Sequence, residues 1–193
     1  MMRDLSLHVM DVVQNAVDAG ATLVEVAVER RPAEHRMVVT VADNGKGMTP
    51  EQALRAADPF FTTRTSRCVG LGIPFLRLSA ELTGGSLRIR SREGEGTVLT
   101  AEYRTDCVNM PPLGDMAATI AALISVHPEL ELVYAFSCGG RSFELDTRTV
   151  RTLLGDVPIR SPEVLDFLRA FLTENQAEID DPEPFLALHM RKE

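Results

Sequence analysis

The sequence has few of the features that mark membrane, secreted or nucleic-acid-binding proteins. No apolar run approaches the length of a membrane span. The first residues, MMRDLSLHVMDVV, contain neither an apolar signal core nor a small-residue cleavage site, so no secretion signal is predicted. Acidic residues (28) outnumber basic ones (20), which gives a net charge of −8. This balance disfavours nucleic acid or an anionic membrane as the main partner.

Cysteine is also scarce. Cys68, Cys107 and Cys138 are odd in number and widely spaced. This argues against a disulfide framework or a zinc site and indicates free thiols in a reducing, cytoplasmic environment. The 193 residues, 45% of them hydrophobic and 25% charged, suit a globular protein with one good core or two small ones.

The first hundred residues alternate between helical and strand patterns. A helix is predicted over about 5–19, ended by Gly20. LVEVAVER and RMVVTVAD alternate as a β-hairpin, and MTPEQALRAA predicts a short helix with Thr49 as its N-cap. IPFLRLSAELT is a third helix, followed by the strands SLRIRSR and TVLTAEYR. This order predicts an α+β fold, a two-layer sandwich with helices on one face of a sheet.

The stretch CVNMPPLGD interrupts this pattern and suggests a boundary between two domains, 1–105 and 106–193. The second region is predicted to contain a helix, two strands joined by a Gly-Gly turn, and two further helices, a small α+β unit. No catalytic constellation is recognisable in it. Two roles stay open: a region that docks or senses a partner, and a structural extension packed on the first region.

One polar stripe lies on the first predicted helix. His8, Asp11, Asn15 and Asp18 are spaced by three, four and three residues, which puts them on one helix face. This pattern alone favours a solvated face, because amphipathic helices commonly have one.

Three glycine motifs raise the possibility of a site: DNGKGM at 43–48, VGLGIP at 69–74 and GEGT at 94–97. Any one of them can be a plain turn. Their order favours a nucleotide site, because Asp43 follows a strand and its carboxylate could accept a hydrogen bond from an amino group. Gly45 and Gly47 would let the backbone approach a flat ring.

The phosphates of such a nucleotide could bind to the backbone N–H groups at the start of the helix that GLG opens, near Gly70 and Gly72. Thr97 begins a strand and offers a small hydroxyl. The sequence contains neither the GxxxxGK[ST] phosphate loop nor a GxGxxG at the first helix of a βαβ unit. The two commoner nucleotide motifs are therefore excluded.

Residues 5–104 resemble the ATP-binding domain of the GHKL superfamily, which includes sensor histidine kinases, type II topoisomerases, heat-shock chaperone ATPases and mismatch-repair ATPases. QNAVDAGAT resembles the N-box, in its mismatch-repair form, and DNGKGM resembles the G1 box. DPFFTTR resembles the F-box and lid of histidine kinases, and GLGIPFLRLSAELTGGSLRIRSREGEGTVL their G2 box and the run after it. The implied fold is of the Bergerat type, with helices on one face of a mixed sheet.

The resemblance implies ATP and Mg²⁺ as ligands. Asn15 would ligate the Mg²⁺ that bridges the phosphates. Asp43 would accept a hydrogen bond from the adenine amino group, with help from Thr97. The other implied ATP-binding residues are Gly45, Gly47 and Met48 beside the base and ribose, Thr62, Thr63 and Arg64 in a lid over the phosphates, and Gly70, Leu71 and Gly72 at the helix start.

Two departures from the family bear on activity. ATP-hydrolysing members carry Glu four residues before the N-box Asn, where this chain has Asp11. A carboxylate there can act as a general base, but Asp is one methylene shorter. No phosphoacceptor-histidine domain precedes the N-box, so we expect any transferred phosphoryl group to go to another protein.

Three functions follow as hypotheses. The first is a stand-alone cytoplasmic ATPase or protein kinase that regulates an unidentified partner, similar to anti-sigma-factor serine kinases. The second is a nucleotide-gated binding module with little turnover. The third, based on NAVDAGAT, is a mismatch-repair-like DNA transaction ATPase, which the acidic balance disfavours. The expected small-molecule partners are ATP and ADP, and a homodimer stays open.

Overall fold

The computed structural model of the chain describes residues 4–56 and 72–180. Within these ranges, six strands form one mixed sheet in the order β3-β4-β2-β1-β5-β6. The strands are β1 (Leu23–Arg31), β2 (Arg36–Asp43), β3 (Ser86–Arg92), β4 (Gly96–Arg104), β5 (Glu131–Cys138) and β6 (Arg141–Asp146). Strands β1 and β5 are parallel, and every other neighbouring pair is antiparallel.

The helices occupy the positions that the sequence patterns predict. They are α1 (Leu5–Asp18), α2 (Pro50–Arg55), α3 (Gly72–Leu82), α4 (Met116–Val126), α5 (Thr147–Leu154) and α6 (Pro162–Asp180). Gly20 follows α1 with a φ of +81°. Thr49 caps α2 in a reciprocal capping box with Gln52. None of the helices in the described ranges is long and apolar enough to cross a bilayer.

The core lies between the helices and one face of the sheet. Alternate residues of β1 and β2 are buried there, and α1 contributes Leu5, Val9 and Val13, each fully buried. The largest fully buried side chains in the described ranges are Tyr103, Tyr134 and Phe136. The other face of β3 carries Arg88, Arg90 and Arg92, all exposed. The predicted α+β arrangement, with helices on one face of a mixed sheet, is confirmed.

Residues after 105 continue the same sheet. Strand β5 pairs with β1 from Leu23 opposite Glu131 to Arg30 opposite Cys138. Pairing with both β2 and β5 makes β1 an interior strand of the sheet.

The segment between the two regions is tied back to the first helix. The backbone N–H of Leu5 donates to the carbonyl of Pro112 at 3.0 Å, and that of Ser6 to Leu113 at 2.9 Å. These bonds satisfy two of the N–H groups that a helix start leaves unpaired. Further along α1, Gln14 Oε1 lies 3.0 Å from His127 Nε2. The region after 105 therefore braces α1, while its division from 1–105 as a separate domain stays a prediction.

Candidate functional site

The centre of the candidate site is Asp43, the last residue of β2. It lies between Val24 of β1 and Thr97 of β4. Its Oδ1 accepts a hydrogen bond from the backbone N–H of Gly45 at 2.8 Å. Partial burial raises the pKa of the Asp43 carboxyl, and the backbone N–H groups of Gly45 and Thr97 oppose that rise. The result is a half-buried carboxylate whose position is fixed by the backbone.

The glycines around Asp43 allow three backbone segments to meet. A Cβ on Gly47 (φ +65°) would lie 2.0 Å from the carbonyl oxygen of Arg92, and a Cβ on Gly96 (φ +101°) would lie 2.0 Å from that of Asp43. A Cβ on Gly45 would lie 3.0 Å from Asp43 Oδ1. Backbone packing therefore already requires Gly47, and its predicted contact with a flat ring would be an additional role.

Asn44 ties this loop to the start of β1, and sequence reasoning missed it. Its Oδ1 accepts from the backbone N–H groups of Thr22 and Leu23, both at 2.9 Å, and its Nδ2 donates to Thr22 Oγ1 at 2.9 Å. Nearby, the N–H of Lys46 donates to the carbonyl of Ala19, just after α1, at 3.0 Å. The loop after β2 is thus fastened to the end of α1.

Ser91, on the face of β3 that also carries Leu87 and Ile89, was missed as well. Its Oγ accepts from the N–H of Met48 at 2.8 Å, lies 2.8 Å from Thr97 Oγ1, and donates to the carbonyl of Gly96 at 3.0 Å. A hydroxyl in the place of a third apolar residue on this face is the signal that could have identified it. Ser91 links the loop at Met48 to the strand that carries Thr97.

The polar stripe of α1 divides in the structure. Asp11 is exposed and Asn15, one turn further on, is partly buried. His8 is buried, with its ring centroid 6.2 Å from that of Phe75, so it is a packing residue. Asp18 accepts a hydrogen bond from Gln14 Nε2 at 3.0 Å.

The start of α3 lies against α1 at Asp11, the candidate general base. A Cβ on Gly72 would come 2.7 Å from the Cβ of Asp11. The structure therefore brings together two residues that are 61 positions apart in the sequence and were both predicted to lie near the phosphates. The other predicted phosphate and lid residues lie outside the described ranges: Thr62, Thr63, Arg64, Gly70 and Leu71.

The donor atoms on α1 suit a magnesium ion that arrives with a nucleotide. Within 4–56 and 72–180, no group of three or more His, Cys, Asp or Glu side chains could hold a metal by itself. Mg²⁺ prefers oxygen ligands and is commonly held by one or two protein oxygens together with phosphates and water. The amide oxygen of Asn15 is a ligand of that type, so the residue predicted to hold the ion fits it.

Comparison with known proteins gives one family and several partial relatives. The family model described as "Histidine kinase-, DNA gyrase B-, and HSP90-like ATPase" matches residues 3–106. The sensor histidine kinase ZraS of Salmonella typhimurium is 34% identical over 87 residues, 45% of this chain. The DNA mismatch repair protein MutL of Trichlorobacter lovleyi is 34% identical over 106 residues, 50% of this chain. The chain spans 18% of the length of each of these two relatives.

One solved structure is similar in fold over a larger share of the chain. It is described as the N-terminal domain of a DNA repair protein and matches with a TM-score of 0.54 and 14% identity. The match covers 81% of this chain and 58% of the other. The likeness is one of fold alone, and it covers more of the chain than the family model does.

Proposed function

We propose that this chain, which belongs to the family of histidine kinase-, DNA gyrase B- and HSP90-like ATPases, binds ATP together with Mg²⁺ beside the end of β2. The observation that carries the proposal is the fixed, half-buried carboxylate of Asp43 opposite Thr97. A carboxylate held in this way accepts a hydrogen bond from an amino group such as that of adenine. Gly45 and Met48 follow in the same loop and would line the base and ribose.

The phosphates and Mg²⁺ would lie between α1 and the start of α3. Asn15 would hold the ion with its amide oxygen, and Gly72 would leave room beside α1. When bound, Mg²⁺ neutralises the negative charge of the phosphates. Asp11 would take a proton from the attacking water or hydroxyl as a general base. The proposal also includes a lid over the phosphates, formed by Thr62, Thr63 and Arg64. Further phosphate contacts would come from Gly70 and Leu71.

The biological role that we propose is a cytoplasmic ATPase or protein kinase that regulates a partner protein. Support comes from the carboxylate at position 11, which retains the chemistry of a general base. We also propose that residues 106–193 couple binding of the partner to the position of α1. The contacts of Leu5 with Pro112 and of Gln14 with His127 support this coupling.

A nucleotide-gated binding module with little turnover is the second candidate. The observation that favours it is the short side chain of Asp11, whose carboxylate reaches less far than that of Glu. A mismatch-repair-like DNA role ranks last, because the net charge of −8 disfavours DNA as a partner and the likeness to the solved DNA repair domain concerns the fold alone, although MutL is 34% identical over half of the chain.

ATP binding is tested by isothermal titration calorimetry on the full chain with Mg²⁺. We expect the wild type to bind ATP and Asp43→Asn to lose at least tenfold in affinity, because the amide offers one acceptor where the carboxylate offers two and adds a donor. Asp166→Asn, the same change at an exposed position of α6, is the matched control. Equal affinities of the wild type and Asp43→Asn would refute the adenine contact.

Turnover is then measured as release of inorganic phosphate and as transfer of the γ-phosphoryl group of labelled ATP to proteins that bind the full chain in a pull-down. A catalytic role for Asp11 predicts that Asp11→Asn loses about 10²-fold or more in turnover with unchanged ATP affinity. Asp11→Glu, which restores the longer side chain, should retain or raise the rate. ATP binding by the wild type and by Asp11→Glu, with no measurable turnover in either, would instead identify the gated module.

A further inference from the structure

Ser91 makes three polar contacts with one hydroxyl proton, which limits how the protons of this group can be arranged. Its Oγ lies within hydrogen-bond distance of the Met48 N–H, the Gly96 carbonyl oxygen and Thr97 Oγ1. A serine hydroxyl has one proton to donate and two lone pairs to accept with. The Met48 N–H can only donate and the Gly96 carbonyl can only accept.

One assignment satisfies all three contacts at once. Ser91 donates its proton to Gly96 and accepts from Met48, which leaves one lone pair for Thr97. Thr97 must therefore donate its own hydroxyl proton to Ser91. The Thr97 hydroxyl then has only lone pairs to offer to any other group, because its single proton is engaged within the protein.

Thr97 stands directly opposite Asp43 in the β2–β4 pair, so the two side chains lie on the same face of the sheet. Asp43 in its charged form is also a pure acceptor. With the proton of Thr97 turned toward Ser91, this end of the site presents two acceptors and no side-chain donor from either residue.

We propose that Ser91 is a positioning residue that makes the site select a nucleobase with an amino group over one with a carbonyl at the same place. The inference rests on the proposed ATP site and assigns the origin of its base selectivity. An amino group donates to both acceptors. A carbonyl oxygen meets two acceptors with no proton between them, and leaving such polar groups unpaired is more costly than a hydrogen bond is favourable.

The test compares ATP with inosine triphosphate, which carries a carbonyl in place of the 6-amino group and a proton on the adjacent ring nitrogen. Affinities are measured by calorimetry with Mg²⁺ on the full chain. We expect the wild type to prefer ATP and Ser91→Ala to lower the ratio of the two affinities by roughly three- to tenfold, the effect of about one hydrogen bond. The loss follows because Thr97 regains a free proton in the variant.

Two comparisons separate selectivity from folding. Ser86→Ala, the same change on the same strand, lies on the opposite face and should leave the ratio unchanged. Thr97→Val removes the hydroxyl, so Ser91→Ala should have no further effect on the ratio in that background. If Ser91→Ala does not fold, the comparison of Thr97→Val with Thr97→Ser replaces it, and only the serine variant should retain the full preference, because Asp43 remains an acceptor in both.

A purely structural Ser91 would weaken both nucleotides equally, and an unchanged ratio in Ser91→Ala would overturn the inference. An unchanged ratio in Thr97→Val would overturn it too. These results are distinct from a wild type that binds neither nucleotide, which would overturn the proposed ATP site and the inference with it.

Discussion

Gly72 packs directly against Asp11, so closely that a Cβ on Gly72 would lie 2.7 Å from the Cβ of Asp11. This distance is well inside ordinary van der Waals contact, so the first residue of α3 has to be a glycine for the two helices to approach as they do. The contact sets the separation between the candidate general base and the helix start that is proposed to hold the phosphates.

Gly72→Ala should therefore destabilise the protein through overpacking. We expect a loss of about 1–3 kcal/mol in the free energy of unfolding, measured by urea denaturation. If α3 moves away from α1 to relieve the clash, ATP affinity should fall as well.

The clash can be tested by removing its other partner. Asp11→Gly alone should cost about 0.3 kcal/mol in helix propensity, because glycine is only slightly less favourable than Asp within a helix. In the double variant, Gly72→Ala should cost clearly less than it does in the wild type, since the opposing Cβ is gone. Additive losses would show that the two positions do not interact.

The charged Asp43 carboxylate, which is needed for the proposed contact with adenine, should lower the free energy of unfolding at neutral pH. Burial raises the pKa of its carboxyl, so the folded chain holds a proton there more readily than the unfolded chain. The protonated carboxyl group therefore stabilises the folded chain in acid, below the ordinary pKa of Asp. This stabilisation is lost as the pH rises through the raised pKa of Asp43. At neutral pH, Asp43→Asn should therefore be at least as stable as the wild type while binding ATP more weakly.

The measurement is a series of thermal melts of the two proteins from pH 3 to 8. The advantage of Asp43→Asn over the wild type should shrink as the pH falls and the wild-type carboxyl becomes protonated. An advantage that grows toward acid would contradict the raised pKa. The same protonation should weaken ATP binding to the wild type in acid, because a protonated carboxyl is a poorer acceptor.

Asn44 should stabilise the loop after β2 through its three side-chain hydrogen bonds. Asn44→Ala leaves the N–H groups of Thr22 and Leu23 without these acceptors. We expect a loss of about 1–2 kcal/mol in the free energy of unfolding by urea denaturation. Asn44→Asp keeps the acceptors and loses only the bond to Thr22 Oγ1, so its loss should be smaller. Equal losses would show that the acceptor bonds contribute nothing.

A chain cut after residue 105 tests the predicted domain boundary. Removal of β5 would turn β1 into an edge strand with unpaired backbone groups, and would uncover the buried face beside it. The helix start at Leu5 and Ser6 would lose its two carbonyl partners. We expect this fragment to be aggregation-prone, with poorly dispersed amide resonances by NMR. A monomeric, cooperatively folding fragment would establish 1–105 as an independent domain.

Local sequence signals were sufficient for the secondary structure in the described ranges. The spacing of apolar residues predicted α1, and Thr49 with Gln52 predicted the start of α2, because capping involves residues only three positions apart. Alternation predicted the strands, since side chains of a strand point to opposite faces in turn. The order of the glycine motifs pointed to Asp43 and Thr97, the family resemblance added Asn15, and the structure places Asp43 opposite Thr97.

The contacts that position these groups could not be deduced in the same way. Asn44 bonds to Thr22, 22 residues earlier, and Ser91 to Met48, 43 residues earlier. Both side chains are ordinary in a turn or on a strand, and neither pattern specifies a partner at such a separation. Ser91 did carry one local signal, a hydroxyl on the same strand face as Leu87 and Ile89.

The sequence by itself determined which segments are helices and strands and which residue types could serve a nucleotide, because propensity, periodicity and motif spacing act over short stretches of chain. Tertiary structure alone decided that β5 lies parallel to β1 in the same sheet. It also decided that Gly72 meets Asp11 and that the Ser91 and Thr97 hydroxyl groups lie 2.8 Å apart. Strand order, helix approach and hydrogen-bond partners depend on which distant segments pack together, and the free energy of that packing is shared across the whole fold.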